Sequence, residues 1–473
     1  MLKDRTLIRD TVSKIGEQVT LYGWANAVRD HGKVGFIDLR DRTGLIQIVF
    51  YGENYKKLQN IKAEFVLEIK GLVKNRNESQ FNENIVTGKI ELDPTELTIL
   101  NTCEDLPIPI DTDGSEINEE SRLKYRYLDL RRERMRNTLK LRSNYIKELR
   151  KNLGEMDFTE VETPMLTKAT KEGARDFVVP SRFYPGKFYS LPQSPQQYKQ
   201  LLMTAGVEKY FQFAKCIRDE DLRADRGFEH TQVDLEISFV DREDVMEIVE
   251  DLVKKSVKAV GGKLKFEEFP VIDYKDALKK YGADKFDLRT EQDKKDGLLA
   301  FAWVINFPFF KRVDKADKAE VIDGKSGWTF THNPFSNPIP EHIEQHLKGE
   351  NVGEILTTQY DLVCNGFEAG GGSIRAHNPE VLKATFKIMG YSDSEIEENV
   401  GHMLQAFKLG TPPHGGIALG LDRHVMILVQ EESLKEAIAF PMTSRGKTSV
   451  MDAPTNISNA QLKELGLQVK KIK

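Results

Sequence analysis

The segment from Phe213 to Phe239, FAKCIRDEDLRADRGFEHTQVDLEISF, constrains the fold more than any other. Val233, Leu235 and Ile237 alternate with Gln232, Asp234, Glu236 and Ser238, the period-two pattern of a strand with one apolar face. A second strand precedes it and ends in Arg218-Asp219-Glu220. The connection between them is too long and too charged for a tight hairpin turn. It interleaves Arg218, Arg223 and Arg226 with five carboxylates. Guanidinium forks match phosphate and carboxylate oxygens, and carboxylates can orient those forks or recruit a metal. On residue chemistry alone, an anion-binding loop and a merely solvated charged loop both remain open.

A chain of 473 residues predicts two or more domains and a large core. Its 30% charged and 39% hydrophobic residues are those of an ordinary globular protein. The net charge of −5 excludes global attraction to nucleic acid, so any such binding must come from local basic patches. Cys103, Cys216 and Cys364 are too scattered for a disulfide framework or a CxxC metal pair, which fits a reducing cytoplasm; Cys216 and Cys364 lie in apolar runs and read as packing residues. The start, MLKDRTLIRD, lacks the apolar stretch of a secretory signal, and no run is long enough for a membrane span. A cytoplasmic protein without a membrane partner is expected.

Residues 18–50 alternate in short runs broken at Asp30-His31-Gly32-Lys33 and Arg42-Thr43-Gly44, with further strands at 65–73 and 90–99. That spacing predicts a small closed sheet. Residues 104–121 are acidic and contain proline, and 122–150 read as helical and dense in Arg, Lys and Leu. From about residue 140 onward strands and helices mix without βαβ regularity, favouring a mainly antiparallel sheet flanked by helices. The predicted class is therefore α+β multidomain.

Three segments, in order, resemble the signature motifs of class II aminoacyl-tRNA synthetases. They are Phe158-Thr-Glu-Val-Glu-Thr-Pro164, the 213–239 segment, and Gly415-Gly-Ile-Ala-Leu-Gly-Leu-Asp-Arg423. The wording is most similar to the bacterial-type aspartate branch (subclass IIb), and the resemblance covers nearly the whole chain. It implies an OB-fold anticodon-binding domain at 1–103, a linker and hinge at 104–139, and a class II catalytic domain at 140–473. It also implies an aspartate–tRNA ligase: ATP and L-aspartate give aspartyl-adenylate and pyrophosphate, and the aspartyl group then passes to the 3′-terminal ribose of tRNA(Asp). Catalysis would rest on positioning and charge neutralisation, with no covalent enzyme intermediate. The sizeable domain usually inserted between motifs 2 and 3 looks deleted, because Tyr281-Gly-Ala-Asp-Lys-Phe-Asp-Leu-Arg289 is followed closely by Phe301-Ala-Trp-Val-Ile-Asn-Phe-Pro308.

Carried over residue by residue, the resemblance makes Arg218, Glu220 and Arg423 the catalytic candidates, with Arg218 binding both the α-carboxylate and the α-phosphate. ATP would also meet Asp219, Gly227, His230, Glu368, Gly420, Leu421 and Asp422, with Gly415, Gly416 and Gly420 leaving room for the nucleotide. Asp361 and Glu368 are the Mg²⁺ candidates. Their seven-residue spacing puts them on opposite faces of one ideal strand, so sharing an ion requires a turn, which Asn365-Gly366 can supply. Lys199 and Arg375 match the ligands of the aspartate side chain, with Asp234 orienting them; two cations favour aspartate over neutral asparagine. Glu172, Ser194, Gln196 and His332 would hold the ammonium side, Glu172 lying on a loop expected to close over aspartate.

Two positions depart from the usual wording. His230 stands where a phenylalanine normally stacks on adenine, and imidazole titration near neutrality would make ATP affinity pH-dependent. Asn333 replaces the second histidine of a His-His-Pro-Phe phrase. On the tRNA side, Arg29, Phe36 and Gln47 match anticodon contacts, and His31 resembles relaxed enzymes that also charge tRNA(Asn). Arg131, Arg132, Arg134 and Arg136 are candidates for tRNA phosphates, with a solvated helix face as the alternative. Motif 1 implies a C2 homodimer. The competing readings are a tRNA(Asp)-restricted ligase, an enzyme that activates aspartate for another acceptor, and a non-catalytic RNA-binding paralogue. The last would be expected to lack one of the charged groups that are all present here.

Overall fold

The computed structural model describes residues 4–316 and 318–470. The chain divides into two compact units, Met1–Pro109 and Ile110–Lys473, so the segment expected as linker falls on both sides of the division.

The first unit is a closed five-stranded barrel in the order β1-β2-β3-β5-β4, the OB architecture. Its strands are β1 (Gln18–Asp30), β2 (Val34–Asp41), β3 (Gly44–Tyr51), β4 (Val66–Asn75) and β5 (Ile90–Asn101). Every pairing is antiparallel except β3 with β5, which closes the barrel. The alternation read from sequence is what fills it: Leu21, Ile37, Leu39, Ile46, Ile48, Leu67 and Ile69 point inward and lose all solvent contact. The residues between them face out.

The second unit is built on an eight-stranded sheet. Its members are β6 (Thr159–Glu160), β7 (Lys209–Ile217), β8 (Glu229–Ser238), β9 (Val271–Asp273), β10 (Phe301–Ile305), β11 (Tyr360–Cys364), β12 (Phe367–Ile374) and β13 (His414–Gly420). The order is β9-β10-β11-β12-β13-β8-β7-β6, antiparallel through the middle with a parallel pair at each edge. One face is covered by α1 (Glu133–Glu155), α3 (Arg242–Ala259) and α4 (Leu421–Leu428), which share one core with it, while α2 (Gln196–Thr204) meets the polar side of β8 through Lys199. Tyr145, Leu149 and Leu153 of α1 and Val245, Val249 and Val253 of α3 join Val233, Leu235 and Ile237 of β8 in one core. Each such apolar side chain contributes roughly 1.5–3 kcal/mol by leaving water. Asp241 and Asp244 cap α3 reciprocally. Cys216 and Cys364 are buried, as expected of packing residues.

The arginine-rich stretch is not one helix. It forms Glu119–Lys124, Arg126–Asp129 and then α1. Asp129, fully buried, is the hub: Arg122 (3.0 Å), Arg126 (2.6 Å) and Arg132 (2.7 Å) converge on it. Arg126 also donates to the carbonyls of Ile438 and Ala439, both at 2.9 Å. Arg134 is part-exposed and pairs with Glu431 and Glu436. One expected phosphate contact is corrected: Arg132 is buried and spends its guanidinium on Asp129 and the Thr112 carbonyl. A charge desolvated inside such a network is unavailable to a passing backbone.

Candidate active site

The polar side of β8 is as buried as its apolar side: Gln232, Asp234, Glu236 and Ser238 are all sequestered. Burying charge on both faces of a strand is costly unless the charges are paired. They are paired with cations from two other elements. Lys199 on α2 sets its Nζ 2.7 Å from Asp234 Oδ1 and 3.1 Å from Glu236 Oε2. Arg375, one residue past β12, donates Nε to Glu236 Oε1 at 2.9 Å and a terminal nitrogen to Glu236 Oε2 at 3.2 Å. It is fixed further by Ser373 Oγ (2.9 Å) and the Gly416 carbonyl (3.1 Å). Two positive and two negative groups thus form a neutral block at the floor of the site.

Glycines make the block possible. A Cβ at Gly416 would sit 2.1 Å from the Leu235 carbonyl and 2.2 Å from Glu236 Oε2, and one at Gly415 2.4 Å from Ile374 Cδ1. The room expected for a nucleotide at 415 and 416 is therefore taken by the protein's own interior. At Gly420 the nearest atom would be 3.7 Å away, so only this glycine leaves open space.

The electrostatics follow the pairing. Burial alone would raise the Glu236 pKa, but Arg375 and Lys199 reverse that and lower it to about 2. For Asp234 burial dominates and the pKa rises, with Lys199 opposing. Its Oδ2 is buried without a hydrogen-bond partner, as is Glu172 Oε1. Glu172 is likewise raised by burial, against the pull of the Ser194 hydroxyl that donates to it. Two orphaned carboxylate oxygens lining one cavity could accept from a cationic donor such as an ammonium group. Gln196, whose backbone N–H donates to Ser194 Oγ at 3.2 Å, lines the same space. The buried Gln193 side chain bonds Ala174 and Asp176 and so pins the loop that carries Glu172.

Arg218, at the end of the β7 hairpin arm, opens into this cavity of about 250 Å³ together with Lys199, Asp234, His332, Arg375 and Arg423. Its Nε donates to the Gln193 carbonyl at 3.2 Å. No ion pair with Asp219 or Glu220 forms: Asp219 lies 3.6 Å from Arg175 and Glu220 3.2 Å from Arg226. Among the described residues Arg218 has no carboxylate partner, so its charge is held for something else. Gly227 and His230 line the same cavity.

His230 corrects the pH argument. Burial, with Arg218 and Arg423 adding to it, lowers its pKa to about 3, so the ring is neutral throughout the physiological range. Asp422 and Leu421 are structural in their side chains. Asp422 receives the Thr231 N–H (2.8 Å) and an Arg142 nitrogen (2.6 Å), using both oxygens, and Leu421 is in the core. Either can reach a nucleotide only through its backbone. Arg423 stays at the rim, 3.3 Å from Asp225, and donates to the Glu368 carbonyl at 3.0 Å.

Asp361 and Glu368 do meet. Asn365 and Gly366 take positive φ (53° and 91°) in a two-residue turn, and a register shift at Leu362/Val363 completes the alignment. A Cβ at Gly371 would lie 3.0 Å from Asp361 Oδ1 and 3.5 Å from Glu368 Oε1. Both carboxylates therefore converge over that one glycine. No group of three or more potential metal ligands occurs among the described residues. Two converging carboxylates suit Mg²⁺, which keeps waters and phosphates as its other ligands; an ion there would displace Gln359 Nε2, 2.7 Å from Asp361 Oδ1, and Lys285, 2.8 Å from Glu368. His332 Nε2 is 3.3 Å from Asp361 Oδ2; burial pulls its pKa down, but Asp361 outweighs this and the net shift is upward. Asn333 has a local task instead: its Oδ1 accepts the Phe335 N–H at 3.0 Å.

Sequence reasoning missed Glu236. Its only signal was that it stands in phase with Asp234 on β8, and a strand with one solvated face would carry the same letters.

On the barrel, Arg29, Phe36 and Gln47 stand on the outer face of three adjacent strands. Arg29 pairs with Phe36, and Asp38 with Gln47, across the ladders. Arg29 grips Asp38 at 2.6 and 2.8 Å, and the His31 ring meets Phe36 edge-on at 5.8 Å. An aromatic ring flanked by a guanidinium and an amide could stack an unpaired base.

Comparison with known proteins agrees with both units. Residues 118–444 match the family profile of tRNA synthetases class II (D, K and N), and 19–100 match the OB-fold nucleic acid binding domain. An Aspartate–tRNA(Asp/Asn) ligase of Corynebacterium jeikeium is 38% identical, covering 96% of each chain. The Aspartate–tRNA ligase of Macrococcus caseolyticus is 37% identical, covering 97% of each. The C. jeikeium alignment runs over 578 positions against 473 residues here, so that relative carries sequence that this chain lacks. In solved structures, the asparaginyl-tRNA synthetase of Pyrococcus horikoshii, complexed with asparaginyl-adenylate, shares the fold at TM-score 0.73 and 22% identity, over 93% of this chain and 98% of its own.

Proposed function

The chain belongs to the class II tRNA synthetases of the aspartate, lysine and asparagine group, and on that premise we propose that it is an aspartate–tRNA ligase. The observation that carries the reading is the pair Lys199 and Arg375, fixed on Glu236 and opening into the same cavity as Arg218. The two fixed cations would donate to both oxygens of the aspartate side-chain carboxylate, where an amide would turn an N–H donor toward them in place of one acceptor oxygen. Glu172 Oε1 and Asp234 Oδ2, both lacking partners, would take the ammonium. Arg218 is left to bridge the α-carboxylate and the α-phosphate.

In the first step a carboxylate oxygen of aspartate attacks the α-phosphorus of ATP, the bond to the bridging oxygen breaks, and pyrophosphate leaves. Arg218 and Arg423 would neutralise the charge that develops. A Mg²⁺ ion on Asp361 and Glu368 would supply further charge neutralisation to the phosphates. In the second step a hydroxyl of the terminal ribose attacks the activated carbonyl and AMP departs.

We extend the reading to tRNA(Asn) as a second acceptor. His31 is exposed beside Phe36, and the corynebacterial relative is named for both tRNAs. A C2 dimer through residues 158–166 is also part of it, since Met165 and Leu166 leave 42% and 53% of their surface exposed just after motif 1. Among the described residues no helix is long and apolar enough to cross a membrane, and we place the enzyme in the cytoplasm. The missing segment of the longer relatives is assigned to the link between Arg289 and Phe301, which here is spanned by the short helix Glu291–Lys295.

The test is aspartylation of paired tRNA(Asp) and tRNA(Asn) transcripts. Charging of both is expected. Charging of tRNA(Asp) alone would overturn the His31 argument and keep the ligase; charging of neither would overturn the tRNA assignment.

A further inference from the structure

A second cavity, of about 420 Å³, continues from the first past Arg218. It shares Glu172, Arg218, His332 and Glu368 with the amino-acid site but is not lined by Lys199, Asp234 or Arg375. Its cations other than Arg218 sit beside carboxylates: Arg226 beside Glu220 at 3.2 Å, Lys311 beside Glu320 at 2.5 Å, and Lys285 beside Glu368 at 2.8 Å. Half-exposed pairs of this kind hold a cation in place at little net energy, and a polyanion can displace the carboxylate.

Lys285 differs from the others in being paired with a carboxylate expected to meet the phosphates, and its backbone is anchored to the hairpin that bears it. The helix Tyr274–Tyr281 stops at Gly282, whose φ of 74° turns the chain toward the sheet. Phe286 then buries its ring 4.5 Å from that of Tyr281, in a cluster with Val304 and Phe307. Its carbonyl accepts the N–H of Gly366 at 3.0 Å. Gly366 belongs to the turn of the hairpin that carries Asp361 and Glu368. The anchor is thus one residue from Lys285 and docks on the very element that bears the Glu368 carboxylate. Arg423 approaches the same Glu368 oxygen from the other side, at 3.9 Å. The lysine side chain keeps 38% of its surface exposed, so it can leave the carboxylate without moving its backbone.

Resting on the activation reading above, we propose that Lys285 binds the pyrophosphate half of ATP and so positions the triphosphate while Arg218 holds the α-phosphate. Nothing in the motif wording singles it out; only the fold brings it beside Glu368. It acts by placing phosphate oxygens rather than on the reacting atoms, which makes it a positioning residue.

The experiment is ATP–pyrophosphate exchange with L-aspartate on the full chain, comparing wild type, Lys285→Met and Lys285→Arg, with ATP binding measured calorimetrically in parallel. Loss of one charged contact predicts that Lys285→Met raises the KM for ATP and for pyrophosphate about tenfold (~1.4 kcal/mol). The KM for aspartate should stay within about twofold, Lys285→Arg should recover most of the loss, and the calorimetric ATP affinity should fall in step. The proposal is overturned if Lys285→Met leaves ATP and pyrophosphate constants unchanged. It is also overturned if the aspartate KM rises equally, which would make Lys285 a mere tether for Glu368. Failure of wild type to exchange at all would instead bring down the activation reading, and this proposal with it.

Discussion

Replacing Glu236 by glutamine removes one charge from the neutral block while keeping its shape. The consequence can be worked from the structure. The Glu236 pKa of about 2, against 4.5 for an unperturbed glutamate, means that its charge is favoured by roughly 3 kcal/mol in the folded state. Lys199 would retain Asp234, but Arg375 would be left with Ser373 Oγ and the Gly416 carbonyl. Breaking a buried pair from one side typically costs about 3–5 kcal/mol. We therefore expect E236Q to lose about 3 kcal/mol at pH 7. The sign with pH is fixed by the direction of the shift. A lowered carboxylate pKa contributes stability above the unfolded value of 4.5, and that contribution is lost as pH falls toward about 2. The gap between wild type and E236Q should thus shrink to under half by about pH 3. Urea unfolding followed by tryptophan fluorescence can read this. Of the three tryptophans only Trp24 lies in the first unit, so a Trp24→Phe background reports the second unit alone. A loss below about 1 kcal/mol at pH 7, or a gap of the same size at pH 3, would refute the claim that Glu236 is the electrostatic keystone.

Arg218→Lys should lower the exchange rate about 100- to 1000-fold while leaving the melting temperature unchanged, because no carboxylate among the described residues forms an ion pair with Arg218 and lysine keeps the positive charge near Glu172; a large fall in melting temperature would contradict this. With His230 neutral down to about pH 3, the KM for ATP should show no inflection from this ring between pH 6 and 8, and His230→Phe should leave the profile's shape intact. Gly416→Ala should fail to fold or lose several kcal/mol, since its Cβ would meet a carbonyl at 2.1 Å, whereas Gly420→Ala has 3.7 Å of clearance. Comparable melting temperatures for these two variants would contradict the packing account.

How much of this was legible beforehand depends on which physical constraint wrote the letters. The barrel could be read because burial on one face of each strand forces alternation, as at Ile37 and Leu39 between Phe36, Asp38 and Arg40. On β8 the same alternation fixed the apolar face correctly but left the polar face ambiguous. A glutamate beside water and one beside Arg375 look alike in sequence, and Glu236 was missed for that reason. The pairing of Asp361 with Glu368 was readable only as a condition, that a turn intervene, and the Asn365-Gly366 turn satisfies it. Roles set by partners that only the fold or a break in a helix brings together were not readable. Asp422 serves the distant Thr231 and Arg142, and Arg132 turns back to Asp129 and Thr112, although each lies in a phrase that suggested contact with a nucleotide or tRNA. Environment also reversed His230, whose cationic neighbours come from three separate segments.

The central claim is that the block of Lys199, Arg375, Asp234 and Glu236 selects a side-chain carboxylate for activation. Pyrophosphate exchange on the wild-type chain, driven in turn by L-aspartate and L-asparagine, tests it most directly. The account predicts that kcat/KM favours aspartate by at least about 100-fold, the scale expected when an analogue leaves buried hydrogen-bond donors unmatched. Equal exchange with the two amino acids, or a preference for asparagine, would contradict it.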